Sequence, residues 1–371
     1  MDFKVTPWDV EGIVDYQKLI EQFGTTPIDE AMLKRIKKNF GELHLFLRRK
    51  IFFSHRDFDM ILDRVENNQR YALYTGRGPS GHTHLGHIMP WIFTKYLQDK
   101  TGANLYFQIT DDEKFLHSRE LSLEDTKEFA YQNILDIIAV GFDPEKTFMF
   151  LDTEYAKTLY NIAIKVAERI TFSTVKAVFG FENSTNIGMI FYPSIQAAPC
   201  FLPSELGNEK MPVLIPAAID QDPYWRVTRD VAEKLGYHKP TAIHCSLLPS
   251  LEGPSGKMSA SKPDSAIFTV DTKEDVKRKV GKAFTGGKKS LKEQKEHGGN
   301  PEICSVFQYL YYLFEEDDKA IEERREACLS GDMVCGECKA HLTKKIAEFL
   351  KEHQKKREKA RDTLEEFILR D

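Results

Sequence analysis

The sequence predicts an α/β fold: a mostly parallel sheet covered by helices on both faces, followed by an all-helical C-terminal portion. Three observations carry that expectation. Short β-rich apolar runs alternate with helical patterns between residues 71 and 245, which is how βαβ units read in a sequence. A glycine-rich turn closes the first of those runs, and beyond residue 262 only helical patterns occur, dense in Lys and Glu. Composition agrees with this. The chain has 371 residues, 41% hydrophobic and 29% charged, enough for two or three soluble domains. No apolar run approaches the ~18–20 residues of a membrane span, and no secretory pattern opens the sequence. Six cysteines in a chain this long do not make a disulfide scaffold, so a cytoplasmic location is expected. With 52 basic and 57 acidic residues the formal net charge is −5, so a polyanionic partner must be met by a local basic patch.

In chain order, residues 1–70 are helix-rich and aromatic and form an N-terminal appendage. Their basic runs at 34–38 and 48–50 read as solvated helix faces. A strand at 71–75 leads through the turn 76–81 into a helix at 85–100. Strands follow at 104–110 and 147–151, with a helix at 123–140 between them. Helical stretches at 154–181 and 187–198 precede a buried strand at 212–219, a helix at 223–235 and a short strand at 241–245. Residues 71–262 then form the nucleotide-binding core, and 263–371 the helical domain, whose last helix could pack back on the core.

The turn Gly76-Arg77-Gly78-Pro79-Ser80-Gly81 fits the spacing of a dinucleotide fingerprint. That pattern also wants an acidic residue about 20 positions on to hold a ribose, whereas Asp111 and Asp112 lie some 30 positions past the last glycine. A nicotinamide-dependent oxidoreductase is therefore one reading of the turn. The next residues, His82-Thr83-His84-Leu85-Gly86-His87, suit a triphosphate instead. Imidazoles donate to phosphate oxygens, glycine admits the nucleotide to the backbone, and a helix N-terminus favours anions. Three histidines in this window fit no common zinc spacing.

A second segment, Gly256-Lys257-Met258-Ser259-Ala260-Ser261-Lys262, falls in a Gly, Pro and Ser-rich loop. It reads either as a polar connection or as a mobile arm closing on a leaving pyrophosphate, where a donor engaged only in the transition state accelerates the step.

Together these segments resemble the two signatures of the class I aminoacyl-tRNA synthetases. His84-Leu85-Gly86-His87 stands for the first, and Lys257-Met258-Ser259-Ala260-Ser261 for the second, with Ala260 in place of its second lysine. The missing lysine's work would fall to Lys257, the serines or Lys114. Within that class the chain is most similar to the tryptophanyl enzymes of archaeal and eukaryotic type. The carrying segments are residues 46–57, 74–80, Gln108-Ile109-Thr110-Asp111-Asp112-Glu113-Lys114, Ile195-Gln196-Ala197-Ala198-Pro199 and Ala218-Ile219-Asp220-Gln221-Asp222-Pro223-Tyr224. The resemblance implies a Rossmann-type catalytic domain, a helical anticodon-binding domain, a homodimer, and three substrates: L-tryptophan, ATP and tRNA(Trp), with Mg²⁺ on the ATP phosphates. It assigns catalysis to His84, Gly86, His87, Lys257, Ser259 and Ser261. Gly76, Arg77, Lys114 and Met258 would contact ATP. Tyr74 and Gln108 would face the indole, while Glu113, Gln196 and Gln221 would hold the polar end of the amino acid.

The chemistry of those side chains agrees. An indole offers one N–H donor and no acceptor, so a selective pocket needs buried acceptors, and a ligand without the N–H would strand them. A tyrosyl-specific pocket would be expected to carry an aspartate for the phenol, which keeps the tyrosyl enzyme as the nearest alternative. A catalytically silent relative that only binds RNA is disfavoured by the intact phosphate-binding residues of both signatures.

For RNA, residues 273–295 carry nine basic and three acidic side chains, and residues 339–371 ten and seven. The first stretch is a candidate phosphate track and the second an ordinary solvated face. Gly298-Gly299-Asn300 resembles the family's anticodon-side loop. Cys304, Cys328, Cys335 and Cys338 lie at gaps of 23, 6 and 2 residues, a spacing open to a 4Fe–4S cluster, a zinc ion or no metal at all. Bacterial tryptophanyl enzymes with a 4Fe–4S cluster show a similar spacing, one residue shorter in the first gap.

Overall fold

A computed structural model describes residues 3–118, 120–258 and 262–371. Its described strands, in chain order, are β1 (Lys4–Val5), β2 (Val10–Glu11), β3 (Thr26–Pro27), β4 (Phe52–Arg56), β5 (Ala72–Arg77), β6 (Asn104–Ile109), β7 (Thr147–Leu151), β8 (Val213–Ala218), β9 (Thr241–Cys245), β10 (Pro249–Ser250) and β11 (Gly253–Lys257). Seven of them form one sheet in the order β3-β4-β9-β8-β5-β6-β7. From β9 across to β7 every pairing is parallel. The chain leaves β5 toward β6 and β7, then returns to lay β8 on the other side of β5. That reversal makes β5/β8 a topological switch point, where open α/β sheets bind their ligands.

Side-chain alternation explains why these runs are strands. Leu73, Leu105, Phe107 and Met149 enter one core, while Ala72, Tyr74, Tyr106 and Phe150 enter the other, so both faces are buried, as a parallel sheet requires. Helices cover each face. Leu123–Val140 starts with a reciprocal capping box between Ser122 and Asp125, which satisfies two otherwise orphaned backbone donors. Leu85–Thr101 ends on Gly102 in the left-handed conformation, φ 64°, which glycine adopts without steric cost.

Three expectations change. The N-terminal portion supplies strands as well as helices, and β4 pairs antiparallel with β9, so it extends the sheet. The helical stretch at 154–181 is two helices, Ala156–Ala167 and Phe172–Phe179, because the Thr171 hydroxyl accepts from the N–H of Thr174 and starts a new one. The loop preceding residue 258 is partly a hairpin, β10 against β11.

Among described residues, no strand follows β11. The tail's long helix, Cys335–Thr363, returns to the core, where Asp136 meets His353 Nε2 at 3.1 Å and Arg357 Nε at 3.2 Å. No helix of the described residues is long and apolar enough to cross a membrane.

Candidate functional site

A cavity of about 600 Å³ opens at the carboxyl ends of β5 and β8. These strands pair only at Ala72–Val213 and Leu73–Leu214. Beyond that they part, and the Thr75 hydroxyl donates to the Pro216 carbonyl at 3.2 Å. Pro216 cannot donate to a strand ladder, and it sits past the last β5/β8 pair.

One wall is shared by the first signature segment and Met258 of the second. The Leu85 N–H donates to the Ile267 carbonyl at 3.1 Å, the Thr269 N–H to the Thr83 carbonyl at 2.9 Å, and His84 bridges to Phe268. His84 and His87 stack with ring centroids 3.5 Å apart, and the His84 N–H donates to His87 Nδ1 at 3.2 Å. A Cβ on Gly86 would lie 3.1 Å from the His84 ring and 3.7 Å from the Met258 sulfur. Gly86, Met258, His84 and His87 all line the cavity. Lys257 ends β11, while Ser259 and Ser261 lie outside the described residues.

Gly76, Arg77 and Lys114 join the same wall. Arg77 is 7% exposed. Its Nε donates to Asn133 Oδ1 at 2.7 Å, and its Nη2 has no hydrogen-bond partner among the described residues. Burial lowers this guanidinium to about 10, still charged at neutral pH. A buried cation with a donor to spare suits an anionic ligand. A Cβ on Gly78 would fall 2.2 Å from the Lys114 Cε, so a side chain there would push the end of the lysine aside.

On the amino-acid side, Glu113, Gln196 and Gln221 line the cavity. Glu113 accepts from the Trp8 indole N–H at 2.8 Å and pairs with Lys114 at 2.8 Å. Burial alone would raise its carboxyl, but the Lys114 charge and these hydrogen bonds outweigh that and lower it. Gln221 Nε2 donates to the Pro7 carbonyl at 3.3 Å. Tyr74 and Gln108 lie deeper than these residues. Both are fully buried and stand behind the cavity wall rather than on it. The reason is a relay of hydrogen bonds. The Tyr192 hydroxyl donates to Gln196 Oε1, Gln196 Nε2 to the Tyr74 oxygen at 2.7 Å, and the Tyr74 hydroxyl to Gln108 Oε1 at 2.5 Å. Gln108 Nε2 then donates to both oxygens of Asp152, at 2.9 and 3.0 Å.

Sequence reasoning missed Trp8, Tyr192, Asp152 and the support of Gln221. Trp8 reaches the cavity from the β1–β2 hairpin and stacks on His117 at 5.6 Å. Next to Gln221, Asp222 is fully buried and accepts a bidentate pair from Arg56 on β4, at 2.6 and 2.7 Å, with His244 Nε2 at 3.3 Å. Burial would raise Asp222, but hydrogen bonds from Arg56 and His244 bring it down to about 2. The motif around residues 218–224 was visible in the sequence, but its partner on β4 was not.

The basic stretch at 273–295 is partly neutralised. Lys279 is buried against Asp271 at 2.7 Å, and Arg278 and Lys282 pair with Asp264. Lys273, Lys277, Lys288, Lys289, Lys292 and Lys295 are exposed and carry its outward charge, with Lys292 at 3.9 Å from Glu296. The four tail cysteines do line one small cavity of about 20 Å³. A Cβ on Gly287 would lie 2.5 Å from the Cys335 sulfur and one on Gly299 2.9 Å from that of Cys328. Even so, no group of three or more His, Cys, Asp or Glu among the described residues is arranged to hold a metal ion, because Cys338 turns its sulfur to Met333 at 3.0 Å and Arg324 at 3.7 Å.

The family described as tRNA synthetases class I (W and Y) matches residues 66–351. A tryptophan–tRNA ligase of Pyrococcus abyssi is 59% identical over 368 residues, 99% of this chain and 94% of that protein. One from Saccharolobus solfataricus is 53% identical over 367 residues, with 99% and 95% covered. Among solved structures, the tryptophanyl-tRNA synthetase of Giardia lamblia superposes with a TM-score of 0.90 at 36% identity over 96% of each chain. That of Plasmodium falciparum gives 0.86 at 41%, over 93% and 94%. Neither the oxidoreductase reading nor the tyrosyl one finds support among these. With His84, Gly86, His87 and Met258 on one switch-point cavity, a family match over residues 66–351 and tryptophan–tRNA ligases 59% and 53% identical over 99% of its length, the chain belongs to the class I tRNA synthetases, in the tryptophanyl group.

Proposed function

We propose that the chain activates L-tryptophan with ATP and transfers it to the 3′ end of tRNA(Trp). The observation that carries this reading is that His84, Gly86, His87 and Met258 line one cavity, with Thr83–Leu85 tied by backbone contacts to Ile267, Phe268 and Thr269. The tryptophan carboxylate attacks the α-phosphorus in line and pyrophosphate leaves; a ribose hydroxyl of the tRNA terminus then takes the acyl group from the adenylate. No covalent enzyme intermediate is needed, so positioning and charge stabilisation carry the rate. His84, Gly86, His87, Gly76, Arg77 and Met258 hold the nucleotide. Lys257, Ser259 and Ser261 close on the departing pyrophosphate, with Lys114 supplying charge that Ala260 does not. Mg²⁺ accompanies the triphosphate, held mainly by phosphate and water. Glu113, Gln196 and Gln221 take the ammonium end, and Tyr74 and Gln108 provide acceptors deeper in.

The functional division runs 1–70, 71–262 and 263–371, with Lys288, Lys289, Lys292 and Lys295 tracking RNA phosphates and the helical tail reading anticodon bases. Exposed Tyr160 and Ile164 on the helix Ala156–Ala167, and exposed Ile187 on the helix Ile187–Ala197 that packs against it, support a homodimer through this face. The cytosol is where such an enzyme works. For Cys304, Cys328, Cys335 and Cys338, metal analysis and the presence or absence of a 400-nm band separate a 4Fe–4S cluster, a zinc ion and no metal.

The test is charging of a tRNA(Trp) transcript by the purified chain. Acceptance of tryptophan and rejection of tyrosine is expected; charging with tyrosine, or with neither, contradicts the reading.

A further inference from the structure

The relay behind the cavity ends on a pair of carboxyl groups that the reaction itself does not use. Asp152 is 4% exposed, and both of its carboxyl oxygens accept from Gln108 Nε2. A glutamine amide can sit two ways round, and what it faces decides which. With Nε2 on Asp152, its Oε1 is left for the Tyr74 hydroxyl, and every link back to the wall follows in one direction: Tyr74 accepts from Gln196, which accepts from Tyr192. Turned over, Gln108 would oppose its carbonyl to the Asp152 oxygens at about the same separation, acceptor against acceptor, a costly arrangement in a buried site.

We infer that Asp152 is a positioning residue for amino-acid recognition: by fixing the orientation of Gln108 it sets the polarity of the whole relay, so that buried acceptors await a ring N–H. The inference rests on the tryptophan reading above and adds a residue to it. Asp112 hydrogen-bonds Asp152 from the side. Burial raises both carboxyls; Asp112 raises Asp152 further, while the hydrogen bond to Asp152 holds Asp112 down at about 7, and a hydrogen bond between two carboxyls needs one proton between them. That proton is occupied within the pair, and the face of Asp152 toward Gln108 stays an acceptor.

The test compares tryptophan with benzothienylalanine, whose ring sulfur replaces the indole N–H. In Asp152→Asn, the new amide can donate to Gln108 Oε1 and turn it over. The ratio of kcat/KM for tryptophan over the sulfur analogue should fall at least about tenfold, within the range that stranded polar groups command. The KM for ATP should hold. Exchanging the two groups, Q108E with D152N, returns an acceptor to Tyr74 and should restore the ratio. If Asp152→Asn is too unstable to assay, the exchanged pair alone decides: a retained preference supports the inference, and a lost one overturns it. Equal losses for both substrates in the single variant would make Asp152 merely structural and also overturn it. Failure of the wild-type chain to activate tryptophan would instead sink the reading beneath.

Discussion

Leu85 donates its backbone N–H to the carbonyl of Ile267 at 3.1 Å, which ties the helix start that carries His84–His87 to the segment following Lys257. The nucleotide site therefore has no slack at Gly86, where an added Cβ meets the His84 ring at 3.1 Å. Gly86→Ala should displace that ring, and misplacement on the ångström scale costs about 10²-fold in rate. Steady-state exchange kinetics should show that loss in kcat with the unfolding midpoint nearly unchanged.

Glu113 is buried and charged beside Lys114 and Trp8. Glu113→Gln keeps the shape and removes the charge. Hydrogen bonds to charged groups are worth about 1.5–3 kcal/mol, so the tryptophan KM should rise roughly 10–100-fold while the ATP KM stays near its original value, as read in separate substrate titrations.

The Arg56–Asp222 pair fastens β4 to the turn that presents Gln221. Removing one member of a buried pair leaves the other uncompensated, at about 3–5 kcal/mol, so Arg56→Ala should lower stability by that order in denaturant titration. The pH dependence has a definite sign. Asp222 sits at about 2 in the folded chain, below the ordinary ~3.9 of an unfolded aspartate. Its stabilisation is present above about pH 4 and is lost as pH falls from there toward about 2. Arg56→Ala should flatten this part of the acid-unfolding profile.

What could be read from the sequence was what short-range chemistry dictates. The helix Leu123–Val140 and the strand Thr147–Leu151 occupy the expected residues because a cap and an uninterrupted β-rich run mark their ends. His84, Gly86, His87 and Glu113 were legible as chemistry at a strand's carboxyl end. β4 was not, since Phe52–Arg56 becomes a strand by pairing with β9, nearly 190 residues away. Nor was Asp152, because one aspartate after a strand reads as a cap until Gln108 is seen to point at it. Tyr74 and Gln108 had the right residue types, but their depth depends on Tyr192 and Gln196, which the sequence does not place.

Lys288, Lys289, Lys292 and Lys295 are the part of the basic stretch that we propose meets RNA. Each phosphate contact removed should reduce the slope of log affinity against log salt by about 0.7–0.9. Replacing all four with Gln should weaken tRNA binding most at low salt and flatten that slope by about 3, measured by filter binding, with amino-acid activation unaffected.

Pyrophosphate exchange into ATP, run with each amino acid in turn on wild-type and Lys257→Ala protein, examines the shared cavity most directly. Exchange with tryptophan alone, collapsing by at least about 10²-fold in the variant, is the expected result. Exchange that ignores tryptophan, or that survives the loss of Lys257, would contradict a nucleotide held jointly by the two distant segments.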